Sequence, residues 1–229
     1  MIPKIIHQTS KRLTLEESRL ISRMRTKLPE WDYKLWTDAA NDELVANQFP
    51  EFLEIYQHIR PGVVKADIAR YMYLSVYGGF YFDTDYKVLR AIDPKILCHA
   101  CVLPISTPSE SPLFRLGNAV MGSEAGHPFW RDLLAYIFNS GRLGDIREEM
   151  IEKVTGPEGL TDFFLSRQKH YQGVYLAPNP IFHPQHTLSS FSFVDSEMTV
   201  GVHLCWGSWR SKNLLYSVRS VLHRKITSF

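Results

Sequence analysis

The chain has 229 residues, 45% hydrophobic and 22% charged, a composition that supports a packed core and excludes a disordered or fibrous polymer. Its 26 Lys and Arg against 24 Asp and Glu leave a net charge of +2, too small to neutralise a run of phosphates, so nucleic acid is not an expected partner. Three cysteines, Cys98, Cys101 and Cys205, are too few and odd in number for a disulfide framework; they point to a reducing compartment, with Cys98 and Cys101 expected as buried structural thiols.

The opening Met1-Ile2-Pro3-Lys4 lacks the pattern of a secretory leader, and no run approaches 18 apolar residues, so the expectation is a cytoplasmic protein without a spanning helix. Residues 2–8 form a β-rich run. Leu20, Met24 and Leu28 recur at helical spacing within 15–28, ended by Pro29, and 33–37 is a second strand. This β-α-β alternation predicts an α/β fold with a largely parallel sheet. A helix is expected over 61–77, with Pro61 in its first turn, Ile68, Tyr71, Met72 and Ser75 near one stripe, and Gly78-Gly79 as its stop. Phe80-Tyr81-Phe82 then runs as an apolar strand straight into Asp83. Further strands are expected at 116–121, 174–176 and 200–205, and helices at 129–139, 146–154 and 159–169. Proline clusters near 104–112 and 178–184 mark loops and not linkers, so a single domain over 1–229 is expected.

Asp83 and Asp85 stand two apart where an apolar strand ends. Alternate strand residues point the same way, so both carboxylates can face one cation. Hard oxygen ligands suit Mg²⁺ or Mn²⁺, ions that usually also bind substrate phosphates. A D-x-D triplet alone is weak; the helix before it adds weight. Asp67 and Arg70, three apart, share one helix face. They read either as an exposed ion pair or as a site, with Arg70 a fork for phosphate or for Asp83 and Asp67 an acceptor for a ribose hydroxyl.

The run Lys65-Ala66-Asp67-Ile68-Ala69-Arg70-Tyr71, followed by Tyr77-Gly78-Gly79-Phe80-Tyr81-Phe82-Asp83-Thr84-Asp85, resembles the signature of the D-x-D sugar-binding glycosyltransferases, glycosyltransferase family 32. Its spacing is also similar to that of the glucosylating clostridial toxins. Residues 2–9 and 31–38 resemble the family's first two strands. Asn118 with Gly126-His127-Pro128, and Thr155-Gly156-Pro157, resemble later blocks, and 203–209 resemble its C-terminal motif. The resemblance implies a GT-A-type nucleotide-sugar-binding fold, with a mixed, mostly parallel sheet flanked by helices. Residues 1–125 are expected as the nucleotide-binding half and 126–229 as the acceptor half. It further implies retaining transfer from a UDP- or GDP-linked sugar to a glycan or lipid-linked acceptor. Carried over, Asp67 and Arg70 contact nucleotide and sugar, Asp83 and Asp85 bind ribose and metal, and Gln8 and Thr9 belong to the nucleotide pocket; Asn118 is either a sugar contact or a turn residue. The chain departs from the family pattern at Ser10, often tryptophan, and at Tyr86, usually aliphatic.

A lone His in an apolar strand is commonly a satisfied core residue. His203, however, precedes Trp206-Gly207-Ser208-Trp209, and imidazole suits Mn²⁺, so His203 is expected as the third metal ligand. Trp206 to Trp209 are expected as a lid, with Ser208 or the Trp209 N–H donating to the leaving phosphate. No acidic residue beyond Asp67, Asp83 and Asp85 falls in a recognisable motif; Glu158 reads as a helix-start residue, leaving no free base for inversion. The tail carries Arg210, Lys212, Arg219, Arg224 and Lys225 with Leu214, Leu215, Val218, Val221 and Leu222 at helical spacing. It fits a packed terminal helix, or a basic surface resting at the inner face of a membrane. Two other classes share features: an aspartyl-phosphate phosphatase, which wants Thr or Val where Lys87 stands, and a non-catalytic nucleotide-sugar-binding module.

Overall fold

The computed structural model describes residues 1–171, 173–184 and 196–207, and the backbone of 186–187 and 192–193. Ser208, Trp209 and the basic tail lie outside the described residues. The strands are β1 (Ile5–Thr9), β2 (Asp32–Trp36), β3 (Gly79–Phe82), β4 (Tyr86–Val88), β5 (Cys101–Pro104), β6 (Val120–Ser123), β7 (Val174–Ala177), β8 (His186–Thr187), β9 (Ser192–Phe193) and β10 (Gly201–His203). The helices are α1 (Leu15–Lys27), α2 (Asp38–Gln48), α3 (Leu53–His58), α4 (Gly62–Val76), α5 (Pro94–Leu97), α6 (Pro128–Phe138), α7 (Ile151–Val154), α8 (Pro157–Arg167) and α9 (Asn179–Phe182).

Six strands form one sheet in the order β2-β1-β3-β6-β5-β7. The pairings of β1 with β2, β1 with β3 and β5 with β7 are parallel; β6 runs antiparallel to both neighbours. The sheet is therefore mixed and mostly parallel, flanked by helices. The expected halves share it, because β7 pairs with β5. A separate antiparallel pair sets β10 against β4, with His203 opposite Tyr86.

Local chemistry explains the elements that carry the site. Thr14 caps α1 in a reciprocal box with Glu17, each satisfying a backbone donor of the other, and caps of this kind are worth about 1 kcal/mol. Leu20, Ile21 and Met24 turn inward. Helix α4 starts after Pro61 and is buried along most of its length, packed on α6, β1 and β3. It stops because Gly78 and Gly79 take φ +64° and +88°, turning the chain back into β3. A Cβ on Gly79 would meet the Ile5 carbonyl oxygen at 2.5 Å, so only glycine lets β3 lie against β1. Core lies on both faces of the sheet: Tyr71, Phe129, Trp130 and Phe163 on the α4 side, Ile6, Phe80, Phe82 and Phe182 on the other.

Three expectations are corrected. The strand expected over 116–121 begins only at Val120: Leu116 makes an isolated bridge to Ile105, and the Gly117 N–H bonds to the Pro104 carbonyl. The helix expected over 146–154 is only α7, after a 3-10 turn at Glu148–Met150. Cys98 is exposed and only Cys101 is buried, because Cys98 caps the short α5 while Cys101 enters the central sheet. Among the described residues no helix is long and apolar enough to cross a membrane.

Candidate active site

Strand alternation decides where the carboxylates point. Phe80 and Phe82 pack on one face of β3 and Tyr81 on the α4 face, and Asp83 continues on Tyr81's side. Tyr81 Oη donates to Asp83 Oδ1 at 2.7 Å, and Arg70 Nη1 stands 3.2 Å from the same oxygen. The Arg70 guanidinium lies 4.6 Å from the Tyr81 ring centroid. Its Nη2 pairs with Asp67 Oδ1 at 3.0 Å and its Nη1 donates to the Asn118 carbonyl at 2.8 Å. Of the two uses the sequence left open for this fork, the geometry supplies the grip on Asp83.

Asp67 and Arg70 are not an exposed pair: they are 4% and 5% exposed. Asp67 also accepts from Asn118 Nδ2 at 3.1 Å and Thr155 Oγ1 at 2.9 Å. Burial pushes the Asp67 carboxyl up to about 6, against the opposing pull of Arg70, Thr155 and Asn118. Arg70 stays charged: burial works against the cation, but Asp83, Tyr81 and Asp67 outweigh it.

The D-x-D turn is fastened from several sides. The Asp83 N–H donates to the Ala119 carbonyl at 2.8 Å, and the Asp83 carbonyl accepts from Tyr86 N–H at 3.0 Å and from Gln8 Nε2 at 3.0 Å. Gln8 in turn accepts from Tyr33 Oη at 2.9 Å. Gln8 is fully buried behind the cleft wall, and its amide holds the turn. Thr84 Oγ1 donates to Glu17 Oε1 at 2.6 Å, so Thr14's partner in the α1 capping box also tethers the turn.

Pairing of β10 with β4 brings His203 to this turn from 118 residues away. His203 Nε2 stands 3.1 Å from Asp85 Oδ1 and 3.6 Å from Asp83 Oδ2. Asp85 Oδ2 accepts the Trp206 N–H at 2.8 Å. Burial opposes both charges, yet Cys205 and Asp85 hold His203 well above the ordinary imidazole value, and His203 with the Trp206 N–H holds Asp85 low. One ligand atom from each of Asp83, Asp85 and His203 lies within 4.8 Å of the others. Two carboxylates and an imidazole are a donor set that fits a hard or borderline divalent cation such as Mg²⁺ or Mn²⁺.

This group forms part of the wall of a cleft of about 810 Å³, which Thr9, Asp67, Arg70 and Asn118 also line. Glu17, Asp38, Asp42 and Glu152 line it too, so the cleft holds more carboxylates than the three the motifs placed there. Sequence reasoning missed the parts played by Tyr81, Thr155 and Glu17. The Thr14-to-Glu17 capping spacing was a signal for the last; nothing local pointed Thr155 at Asp67.

A mixed sheet with this strand order, delivering a D-x-D turn at the end of β3, is the architecture of the GT-A glycosyltransferases. Residues 15–103 match the model of the family described as the glycosyltransferase sugar-binding region containing DXD motif. The chain is 31% identical over 198 residues to mannosyl phosphorylinositol ceramide synthase SUR1 of Saccharomyces cerevisiae, covering 84% of this chain and 50% of that one. It is 35% identical over 145 residues to inositol phosphoceramide mannosyltransferase 3 of Schizosaccharomyces pombe, covering 60% of this chain and 39% of the relative. The solved structure of the PaToxG glycosyltransferase shares the fold, with a TM-score of 0.55 at 18% identity over 73% of this chain and 70% of that one. Over residues 15–103 the chain resembles the D-x-D sugar-binding glycosyltransferases. It spans half or less of the length of these curated relatives.

Proposed function

We propose that the chain is a metal-dependent, retaining glycosyltransferase that moves a hexose from a nucleotide-linked donor to a hydroxyl of a glycolipid headgroup. The observation that carries this is the convergence of Asp83, Asp85 and His203 on one point of a cleft large enough for a nucleotide sugar. Mannose is the first donor sugar to test and an inositol phosphate headgroup the first acceptor, because the names of both yeast relatives carry them. Mn²⁺ or Mg²⁺ held by Asp83, Asp85 and His203 would neutralise the diphosphate as it leaves.

The chain's own residues preorganise that set. Arg70 and Tyr81 fix Asp83, and the Trp206 N–H fixes Asp85, so little reorganisation is left for the moment of reaction. Asp67 and Asn118, locked together, form part of the cleft wall that meets ribose and sugar hydroxyls, and Thr9 lines the nucleotide side. Ser208 and Trp209 lie outside the described residues, and their expected part as donors to the leaving phosphate is a reading of the sequence. A lipid-linked acceptor needs a membrane-facing surface, and the basic segment 210–225 is the part of the sequence suited to it.

In the retaining route the departing diphosphate takes the acceptor's proton on the face it leaves. The carboxylates of Asp42 and Glu152 on the cleft wall are the inverting alternative. The test is incubation with Mn²⁺, a panel of UDP- and GDP-sugars including GDP-mannose, and an inositol phosphate acceptor, with NMR of the product's anomeric proton. Nucleoside diphosphate release with an α-linked product from an α-donor is expected. A β-linked product contradicts retention; phosphate release from simple monoesters, or binding without turnover, contradicts transfer.

A further inference from the structure

The segment after β10 carries a backbone anomaly. Cys205 sits at φ +52°, in the left-handed region that side chains other than glycine seldom occupy, and it is the one non-glycine residue there among the described residues. Gly207, two residues on, takes φ +55°. The kink folds Cys205 back over His203. Its sulfur lies 3.4 Å from His203 Nδ1 and 3.6 Å from the His203 carbonyl oxygen.

A thiol has one proton. Donated to the carbonyl, it leaves only sulfur lone pairs facing Nδ1, so the contact at Nδ1 becomes a hydrogen bond when that nitrogen carries the ring proton. In that tautomer the lone pair sits on Nε2, the nitrogen 3.1 Å from Asp85 Oδ1 and 3.6 Å from Asp83 Oδ2. His183 is the neighbouring ring, edge-on with centroids 6.4 Å apart, and its Nε2 makes no hydrogen bond among the described residues, so it does not replace the sulfur.

We propose that Cys205 is a positioning residue: it fixes the Nδ1–H tautomer and the ring orientation of His203, so that Nε2 is the nitrogen presented to a divalent cation. The inference rests on the metal-binding reading of Asp83, Asp85 and His203 and adds to it a side chain at the far edge of the ring. Imidazole ligands are usually held by an acceptor on the nitrogen away from the metal, and here sulfur takes the place that oxygen commonly fills. The strained backbone is consistent with such a role. Glycine would sit at φ +52° without penalty, but it brings no acceptor.

The test is Mn²⁺ alone, titrated into the full chain and followed by the EPR signal of the free ion, with melting temperatures measured alongside. Cys205→Ala is expected to weaken Mn²⁺ binding about tenfold, the lower end of what loss of such an outer partner costs. Cys205→Gly should weaken it similarly while melting no lower than the parent, because it relieves the backbone and removes only the sulfur. Cys205→Ser, whose hydroxyl also accepts, should recover part of the affinity. Unchanged affinity in the Ala and Gly variants overturns the positioning role alone. A loss that tracks lowered melting temperature in both also overturns it, as a structural effect. A parent chain that binds no Mn²⁺ removes the metal reading itself, and this role with it.

Discussion

Replacing Arg70 by alanine tests the buried network most severely. The guanidinium is 7% exposed at its side chain and pairs with Asp67 at 3.0 Å and Asp83 at 3.2 Å. Removing one partner of a buried pair strands the other's charge and typically costs about 3–5 kcal/mol. In a chain of this size each kcal/mol moves the thermal midpoint by roughly 2–4 °C, so a drop of about 6–20 °C is expected. The deficit must depend on pH. Asp67 already sits at about 6 with Arg70 present, and loss of the cation pushes it higher. A carboxyl raised above its unfolded value is stabilised in the fold only while neutral. That contribution is present below the unfolded value of about 4 and is lost as pH rises through the folded value. Calorimetric unfolding of Arg70→Ala should therefore show a smaller deficit at pH 5 than at pH 8. A shift under about 2 °C, equal at both pH values, would match an exposed pair worth under 1 kcal/mol and refute the reasoning.

Gly79→Ala should fail to give soluble, folded chain, because its Cβ would collide with the Ile5 carbonyl at 2.5 Å and its φ of +88° is unsuited to a side chain; a soluble variant with parental circular dichroism would contradict this. Mn²⁺ affinity should climb with pH, since His203 is held above its ordinary value and must give up its proton to act as a ligand. The sign is that of a raised base: His203 stabilises the metal-free fold below about pH 6.5 and that contribution fades as pH rises through its folded value. Calorimetry at several pH values checks it, and a flat affinity between pH 6 and 8 would count against it.

The parts of this fold that were legible in the sequence are those written by local chemistry. The helix from Pro61 to its glycine stop and the apolar strand feeding Asp83 carry their own start and end signals, and both stand within a residue or two of their expected bounds. Helix α2 was missed although Thr37 caps it, because Thr37 had been absorbed into the preceding strand. Strand β5 was missed because Cys-Val-Leu-Pro is short and ends in proline, and its first residue, Cys101, pairs in the sequence pattern with Cys98. The depth of the Asp67–Arg70 pair could not be read at all. Three residues apart on a helix, they have the spacing of a surface ion pair, and the partners that bury them, Asn118 and Thr155, lie 51 and 88 residues from Asp67. The capture of the Gln8 amide by the Asp83 carbonyl, 75 residues away, was invisible for the same reason.

The most direct test of the central claim, sugar transfer through the Asp83–Asp85–His203 group, is the rate of donor turnover against Mn²⁺ concentration in the parent chain and in Asp85→Asn, which keeps the side chain's shape. The parent should saturate with Mn²⁺ and lose turnover in excess chelator. Asp85→Asn should fall at least about a hundredfold, equivalent to about 2.7 kcal/mol of barrier, while melting as a folded protein. Full turnover in excess EDTA, or a parental rate in Asp85→Asn, would contradict the account.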